Sequence, residues 1–125
     1  MPAYEREPKL VRWIGGSRDD LRRFPEPVRN RIGGALWEAQ IGRKAPSAKP
    51  FKGFGGAGLL EVVSDFDGGT YRAIYTVHFA GMIYVLHAFQ KKSTRGIQTP
   101  KRVIDTIKER LARASEDYRQ WQSER

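Results

Sequence analysis

The 125-residue chain contains no cysteine and only two histidines. The absence of cysteine excludes disulfide bonds and thiolate metal sites, and it is typical of proteins from a reducing compartment. The first ten residues, MPAYEREPKL, carry charges and no apolar segment, so no signal peptide is expected. No apolar run reaches the roughly 18 residues that a membrane-spanning helix requires. We therefore expect a cytoplasmic protein with no membrane contact.

The sequence also lacks the common patterns of nucleotide, metal and hydrolase sites. The glycine-rich stretch at 53–58 is not followed by the Lys-Ser/Thr of a phosphate-binding loop. His78 and His87 have no carboxylate at metal-ligand spacing, and no serine stands with a histidine and an acid in a pattern typical of hydrolases. The sequence therefore predicts neither a metal site nor a cofactor.

Positive charge is what the chain has in excess. There are 23 Lys and Arg against 14 Asp and Glu, which leaves a formal net charge of +9 and a pI of about 10.2. Two segments without any acidic residue hold nine of the cations: Arg43, Lys44, Lys49 and Lys52 in the first, and Lys91, Lys92, Arg95, Lys101 and Arg102 in the second. Charge concentrated in this way predicts a polyanionic partner, either nucleic acid or an acidic protein.

The length fits one domain, residues 1–125, of α+β class in the order β-α-α-β-β-β-α. We expect an antiparallel sheet with the helices packed on one face and a C-terminal amphipathic helix. Residues 43–58 are predicted to form a loop, and Ser17 and Thr99 to cap helices. The predicted elements are a strand at Lys9–Ile14, a short helix from Ser17, a helix from Pro25 to about Ile41, strands at Leu59–Phe66, Tyr71–Phe79 and Met82–Lys91, and a helix opened by Thr99-Pro100.

The last two strands carry the candidate site. If Ala80-Gly81 is a two-residue hairpin loop, Arg72 lies opposite Phe89, and His87 and Lys91 share its face. Arg72 has a planar fork that matches phosphate, although an ion pair with Glu61 or Asp65 is the structural alternative. His87 titrates near neutral pH and is a candidate for proton transfer or for packing, and Phe89 for base stacking or for the core.

RNA cleavage without a metal is feasible at a basic site of this kind, because the 2′-hydroxyl of RNA is an internal nucleophile. The protein then has to move protons and stabilise the charge on the phosphorane. We predict catalytic roles for Arg72, Lys91, Lys92 and His87, and RNA-binding roles for Lys49, Lys52, Phe89 and Arg95.

The segments YRAIY (71–75), LHAFQKK (86–92) and Thr99-Pro100 before an amphipathic helix resemble the phage-derived RelE-like toxins, close to HigB, in the RelE/ParE toxin–antitoxin superfamily. The resemblance covers about residues 8–118. It implies a β-α-α-β-β-β-α fold, ribosome-dependent mRNA cleavage, and neutralisation by a cognate antitoxin, usually a helix-turn-helix protein. It also implies that Arg72 binds the scissile phosphate, that Lys91 and Lys92 serve proton transfer, and that Lys49 and Lys52 form a basic loop.

One position departs from this pattern, because Val63 stands where many relatives carry an arginine two residues after the strand glutamate, here Glu61. Two further hypotheses stay open, one because the fold of this superfamily does not fix the target and the other because of Val63. The first is a ParE-like toxin that binds gyrase and cleaves nothing, and the second is a degenerate phage domain that only binds RNA or an antitoxin.

Overall fold

The computed structural model describes residues 7–54, 58–91 and 99–125. The α+β class and the predicted order of elements are confirmed, with one additional short strand, β2, inside the segment predicted as a loop. The elements are β1 (Leu10–Trp13), α1 (Ser17–Arg22), α2 (Glu26–Gln40), β2 (Ala48–Pro50), β3 (Leu59–Phe66), β4 (Gly69–Thr76), β5 (Met82–Lys91) and α3 (Lys101–Ser123). None of the described helices is long and apolar enough to cross a membrane.

The sheet has five strands in the order β1-β5-β4-β3-β2. The strands β2 to β5 pair antiparallel with their neighbours, whereas β1 runs parallel to β5. The prediction of a purely antiparallel sheet was therefore wrong. The reason lies in the connection, because α1 and α2 carry the chain from β1 at one edge to β2 at the other.

The helices pack on both faces of the sheet, and the prediction that they share one face was also wrong. Val28, Ile32 and Leu36 of α2 belong to a core cluster on one face, whereas Ile107 and Ala114 of α3 belong to a separate cluster on the other. The physical reason is that β4 and β5 are apolar on both faces: Ile74, Tyr75, Val85 and Leu86 are all fully buried. A strand of this kind needs cover on both sides.

The hairpin between β4 and β5 brings Arg72 opposite Phe89, as the sequence predicted, but by a different route. β4 ends at Thr76 rather than Phe79, because Phe79 turns into the core beside Tyr84. The longer connection shifts the pairing by one residue, and an irregularity at Ile74 and Tyr75 shifts it back, which leaves Leu86 as the extra residue of a bulge. The two changes cancel, so the register at Arg72 is preserved.

Local features mostly follow the sequence. Asp67 and Gly68 both have positive φ and form the two-residue turn between β3 and β4. Val28, Ile32, Leu36 and Ala39, which follow helical spacing along α2, are all buried. Ser17, in contrast, does not cap α1, since its hydroxyl donates to the carbonyl oxygen of Val85 at 3.1 Å. The N-cap of α3 is Pro100 rather than Thr99, a difference of one residue.

Candidate functional site

The helix α3 covers only part of its face of the sheet. The helix packs mainly on β5, although Leu59 of β3 and Ile74 of β4 are also buried on this face. The alternation of the strands places three charged residues on this face, beside α3: Lys49 of β2, Glu61 of β3 and Arg72 of β4. We call these three residues the sheet charge cluster.

Glu61 is the centre of the sheet charge cluster. Its carboxylate accepts from the Nη1 of Arg72 at 2.7 Å, and the Nζ of Lys49 lies 3.8 Å away. The Glu61 side chain is 5% exposed and that of Arg72 is 19% exposed, whereas that of Lys49 is 63% exposed. The ion pair between Arg72 and Glu61, one of the two alternatives for Arg72, is therefore present.

The ion pair does not exclude a ligand. Two cations surround one carboxylate, so the cluster keeps a net positive charge, and the pair fixes the direction of the Arg72 guanidinium. The Nε of Arg72 is buried without a hydrogen-bond partner, so an anion would have to use the terminal nitrogens. Val63 lies opposite Arg72 in the register and adds no charge.

His87 lies on the same face, at the bulge of β5. Its ring stacks on Phe89, with 5.0 Å between the centroids and 25° between the planes. The Nη1 of Arg110, on α3, lies 2.9 Å from the Leu86 carbonyl oxygen and 3.2 Å from the Nδ1 of His87. An arginine only donates, so this contact assigns Nδ1 as the acceptor and places the ring proton on Nε2.

The surroundings of His87 favour the neutral ring. Burial and the adjacent Arg110 guanidinium lower the pKa of His87 below its ordinary value of 6.5, and Asp20 opposes this shift. Nε2 makes no hydrogen bond with any described residue, and the His87 side chain is partly exposed. At neutral pH the side chain therefore presents an N–H donor.

Gly15 makes room for the arginine that orients His87. It has a φ of +58°, and a Cβ built at this position would lie 2.7 Å from the Nε of Arg110. A side chain here would meet both backbone strain and the guanidinium. The absence of a side chain at Gly15 thus permits the Arg110 contact.

A cleft lies between the α1–α2 junction and the end of β5, and we call it the β5 cleft. Its volume is about 500 Å³. Phe24 and Tyr71 meet edge to face in its wall, with 4.9 Å between their centroids. The lining residues are Asp20, Arg23, Phe24, Pro25, Tyr71, His87, Ala88, Phe89 and Gln90.

The predicted site residues thus fall in two places. Arg72 and Lys49 belong to the sheet charge cluster, and His87 and Phe89 line the β5 cleft. Lys52 is exposed after β2, and Lys91 pairs with Thr70 at the end of β5. Lys92 and Arg95 lie outside the described residues.

Sequence reasoning assigned no site role to Asp20, Arg23, Phe24, Tyr71 or Arg110. The signal in the sequence was slight, because these residues come from four separate elements or connections. Across residues 7–54, 58–91 and 99–125, no group of three or more His, Asp or Glu is placed to hold a metal ion.

Comparison with known proteins gives the family. Residues 19–112 match the model of the family described as phage-derived protein Gp49-like (DUF891). The chain belongs to this family. No curated protein matches the sequence.

Among solved structures, this protein matches a chain of the toxin–antitoxin complex RelBE2 from Mycobacterium tuberculosis. The two chains are 24% identical, and the alignment covers 70% of this chain and 95% of that one with a TM-score of 0.37. An overlap this low carries no inference about fold or function.

Proposed function

We propose that this Gp49-like protein is the toxin of a type II toxin–antitoxin system. In this proposal it is a metal-independent endoribonuclease that cleaves mRNA on the ribosome, and a helix-turn-helix antitoxin neutralises it. The sequence resemblance to RelE-like toxins close to HigB supports the class. The observation that carries the site is the sheet charge cluster, because the ion pair with Glu61 holds Arg72 in a fixed direction, and the exposed Lys49 lies beside the same carboxylate.

The proposed reaction uses the 2′-hydroxyl of the RNA as nucleophile. It attacks the adjacent phosphorus, a 2′,3′-cyclic phosphate forms, and the 5′-oxygen leaves with a proton. Arg72 stabilises the charge that develops on the phosphorane. Lys91 and Lys92 serve the proton transfers, and Lys49, Lys52 and Arg95 hold the backbone. His87 and Phe89 support the substrate at the neighbouring cleft.

The test has to separate loss of the Arg72 charge from loss of folding. Arg72→Ala leaves Glu61 buried without its partner, which is costly in itself. The double variant Arg72→Gln/Glu61→Gln removes both charges and keeps side chains that can hydrogen-bond each other. Arg29→Gln, on an exposed position of α2, is the charge-matched control.

The unaltered protein, the double variant, Arg29→Gln and Lys91→Ala are each expressed in cells. The ends of the mRNA are mapped during growth arrest. We expect new ends with the unaltered protein and with Arg29→Gln. We expect Lys91→Ala and the double variant to produce at least tenfold fewer new mRNA ends. Undiminished cleavage in both of these variants would overturn the assignment.

A second function is favoured by one observation. Arg72 is tied to Glu61, and Val63 supplies no second cation beside it, so the cluster fits an RNA-binding protein that does not cleave. Such a protein binds single-stranded RNA with no new mRNA ends. With about four phosphate contacts, its log–log salt slope is about −3. Growth arrest with intact mRNA and inhibited supercoiling would instead support the gyrase-binding alternative.

A further inference from the structure

We infer that His87 donates a hydrogen bond from its Nε2–H to a phosphate oxygen of bound RNA and takes no part in proton transfer. Arg110 is the positioning residue that fixes the ring for this role. The inference rests on the proposed function in taking RNA as the ligand. It replaces the proton transfer that the sequence suggested for His87 with a binding contact, and it gives Arg110 a function that spacing along the chain does not indicate.

The first argument is the orientation of the His87 ring. The Nη1 of Arg110 lies 3.2 Å from Nδ1 and 2.9 Å from the carbonyl oxygen of Leu86, so one nitrogen contacts both the ring and the adjacent backbone of β5. A guanidinium only donates, so Nδ1 is the acceptor and Nε2 carries the hydrogen. The basic lone pair of the ring is therefore occupied by Arg110, and the position left for a ligand is a donor.

The second argument is the charge around the ring. Arg110 approaches from α3 and Asp20 from α1, whereas the cross-strand partner on β4 is the uncharged Ile74. Burial and Arg110 lower the pKa of His87 below its ordinary value, and Asp20 opposes this shift. A general acid would need the imidazolium and a general base would need an unoccupied Nδ1, so neither role fits. A neutral imidazole can instead stabilise an oxyanion by donating to it.

The third argument is the position of His87 relative to Arg72. Phe89 is the cross-strand partner of Arg72 and stacks on the His87 ring, and the three side chains share the α3 face. His87 and Arg72 form a diagonal pair on neighbouring strands, and such pairs lie about 7–8 Å apart. A phosphate held by the terminal nitrogens of Arg72 therefore has His87 as a neighbour on the sheet. Arg72 supplies charge to this phosphate, whereas His87 supplies a directional contact without charge.

The first experiment determines the tautomer directly, by nitrogen-15 NMR of the histidine rings in the purified protein at pH 7. The chain has two histidines, so His87→Gln identifies the signals of His87 by their loss. We expect a hydrogen on Nε2 and none on Nδ1. A hydrogen on Nδ1, or a doubly protonated ring, would overturn the inference.

Matched arginine variants test whether Arg110 fixes the ring. Arg110→Lys keeps a cationic donor, whereas Arg110→Leu keeps only the apolar part of the side chain. Arg113→Leu, at an exposed position of the same helix, is the control. We expect the Nε2–H tautomer in Arg110→Lys and in the control, and a mixture of both tautomers with a raised His87 pKa in Arg110→Leu. An unchanged ring in Arg110→Leu would contradict the role of Arg110.

The second experiment measures binding of a labelled six-nucleotide RNA by fluorescence anisotropy at fixed salt. Its riboses carry 2′-O-methyl groups, so that it binds without being cleaved. His87→Phe keeps a ring beside Phe89 but has no donor, and the exposed His78→Phe is the control. We expect His87→Phe to bind at least about threefold more weakly than the control. Equal binding of the two variants, or no RNA binding by the unaltered protein, would overturn the contact. Thermal melts followed by circular dichroism verify that each variant is folded.

A neutral linkage shows whether the ligand of His87 is a phosphate. The same RNA is prepared with one methylphosphonate, placed at each linkage in turn, which replaces one charged oxygen by a methyl group. At one linkage we expect the methylphosphonate and His87→Phe to weaken binding no more together than the stronger of the two does alone. Fully additive losses at every linkage would place His87 against another part of the RNA, which would contradict the inference.

Cleavage separates a donor from a group that transfers protons. Glutamine has a side-chain N–H but cannot act as an acid or a base at neutral pH. We therefore expect His87→Gln to produce at least about fivefold more new mRNA ends in cells than His87→Phe. Equal numbers of new ends from the two variants would overturn the assignment of a donor.

The contact and the proposed function can fail separately. Coupling between His87 and one phosphate, with no new mRNA ends from the unaltered protein in cells, would retain the contact and reject the nuclease. New mRNA ends that depend on Arg72 and Lys91, with no such coupling in the purified protein, would retain the nuclease and reject the contact.

Discussion

The two faces of the sheet differ in how much of them is covered. On the face of α2, Val62, Ala73 and Tyr75 are buried in a continuous apolar core. On the other face, α3 packs mainly on β5, and the neighbouring strands β4 and β3 carry Arg72 and Glu61. The same strands therefore carry only apolar core residues on one side and a largely buried ion pair on the other, because successive side chains alternate between faces.

The largest effect is expected when a charge is introduced at one of two adjacent residues that lie on opposite faces of the sheet. Val62 is fully buried on the α2 face, whereas its neighbour Val63 is partly exposed beside Arg72. We expect Val62→Arg to cost more than about 4 kcal/mol and to prevent folding, because it buries an unpaired charge. Val63→Arg should cost about 1 kcal/mol. Urea unfolding and soluble yield measure both, and similar losses would refute the assignment of the faces.

The next largest effect concerns the ion pair between Glu61 and Arg72. We expect Glu61→Ala to lower the free energy of unfolding by about 3 kcal/mol, because Arg72 loses its partner while mostly buried. Glu109→Ala is the control, since Glu109 is 71% exposed and lies 3.9 Å from Arg113 on the surface of α3. Its cost should stay below about 0.5 kcal/mol. Equal costs in chemical denaturation would show that the buried pair has no special role.

Two glycines sharpen the comparison at the level of the backbone. Gly15→Ala should cost about 2 kcal/mol, because a Cβ at positive φ would also meet Arg110. Gly33→Ala should instead stabilise the protein by about 0.5–1 kcal/mol, since no atom lies within 4 Å of the added Cβ in the helix α2. Thermal unfolding of the two variants should move in opposite directions. A shift of the same sign would be evidence against this account.

The smallest effect is a pH dependence carried by His87. Its pKa is lowered in the folded protein, first by burial and then by Arg110, so the unfolded chain takes up the proton more readily. The contribution of His87 to the free energy of unfolding is therefore complete above its ordinary pKa of about 6.5. It is lost as pH falls through the lower pKa that His87 has in the folded protein. We expect His87→Gln to flatten the decline of stability between pH 7 and pH 5. An unaltered decline in the His87 variant would exclude this residue as its source.

The sequence by itself determined the parts that depend on local pattern. The order of the helices and strands was predicted, because the apolar period that distinguishes a helix from a strand depends on neighbouring residues alone. The pairing of Arg72 with Phe89 was also predicted. It survived although the loop length was wrong, since the bulge at Leu86 compensates for the longer connection.

Only the tertiary structure decided which face each helix covers and which distant groups meet. Nothing in the period of α3 states that it packs opposite α2, because an amphipathic stripe specifies burial but not the partner. Arg110 reaches His87 across 23 residues, and it fits only because Gly15 has no side chain. Contacts of this kind depend on the shape of the whole fold, which pairs residues by position in space rather than by spacing along the chain.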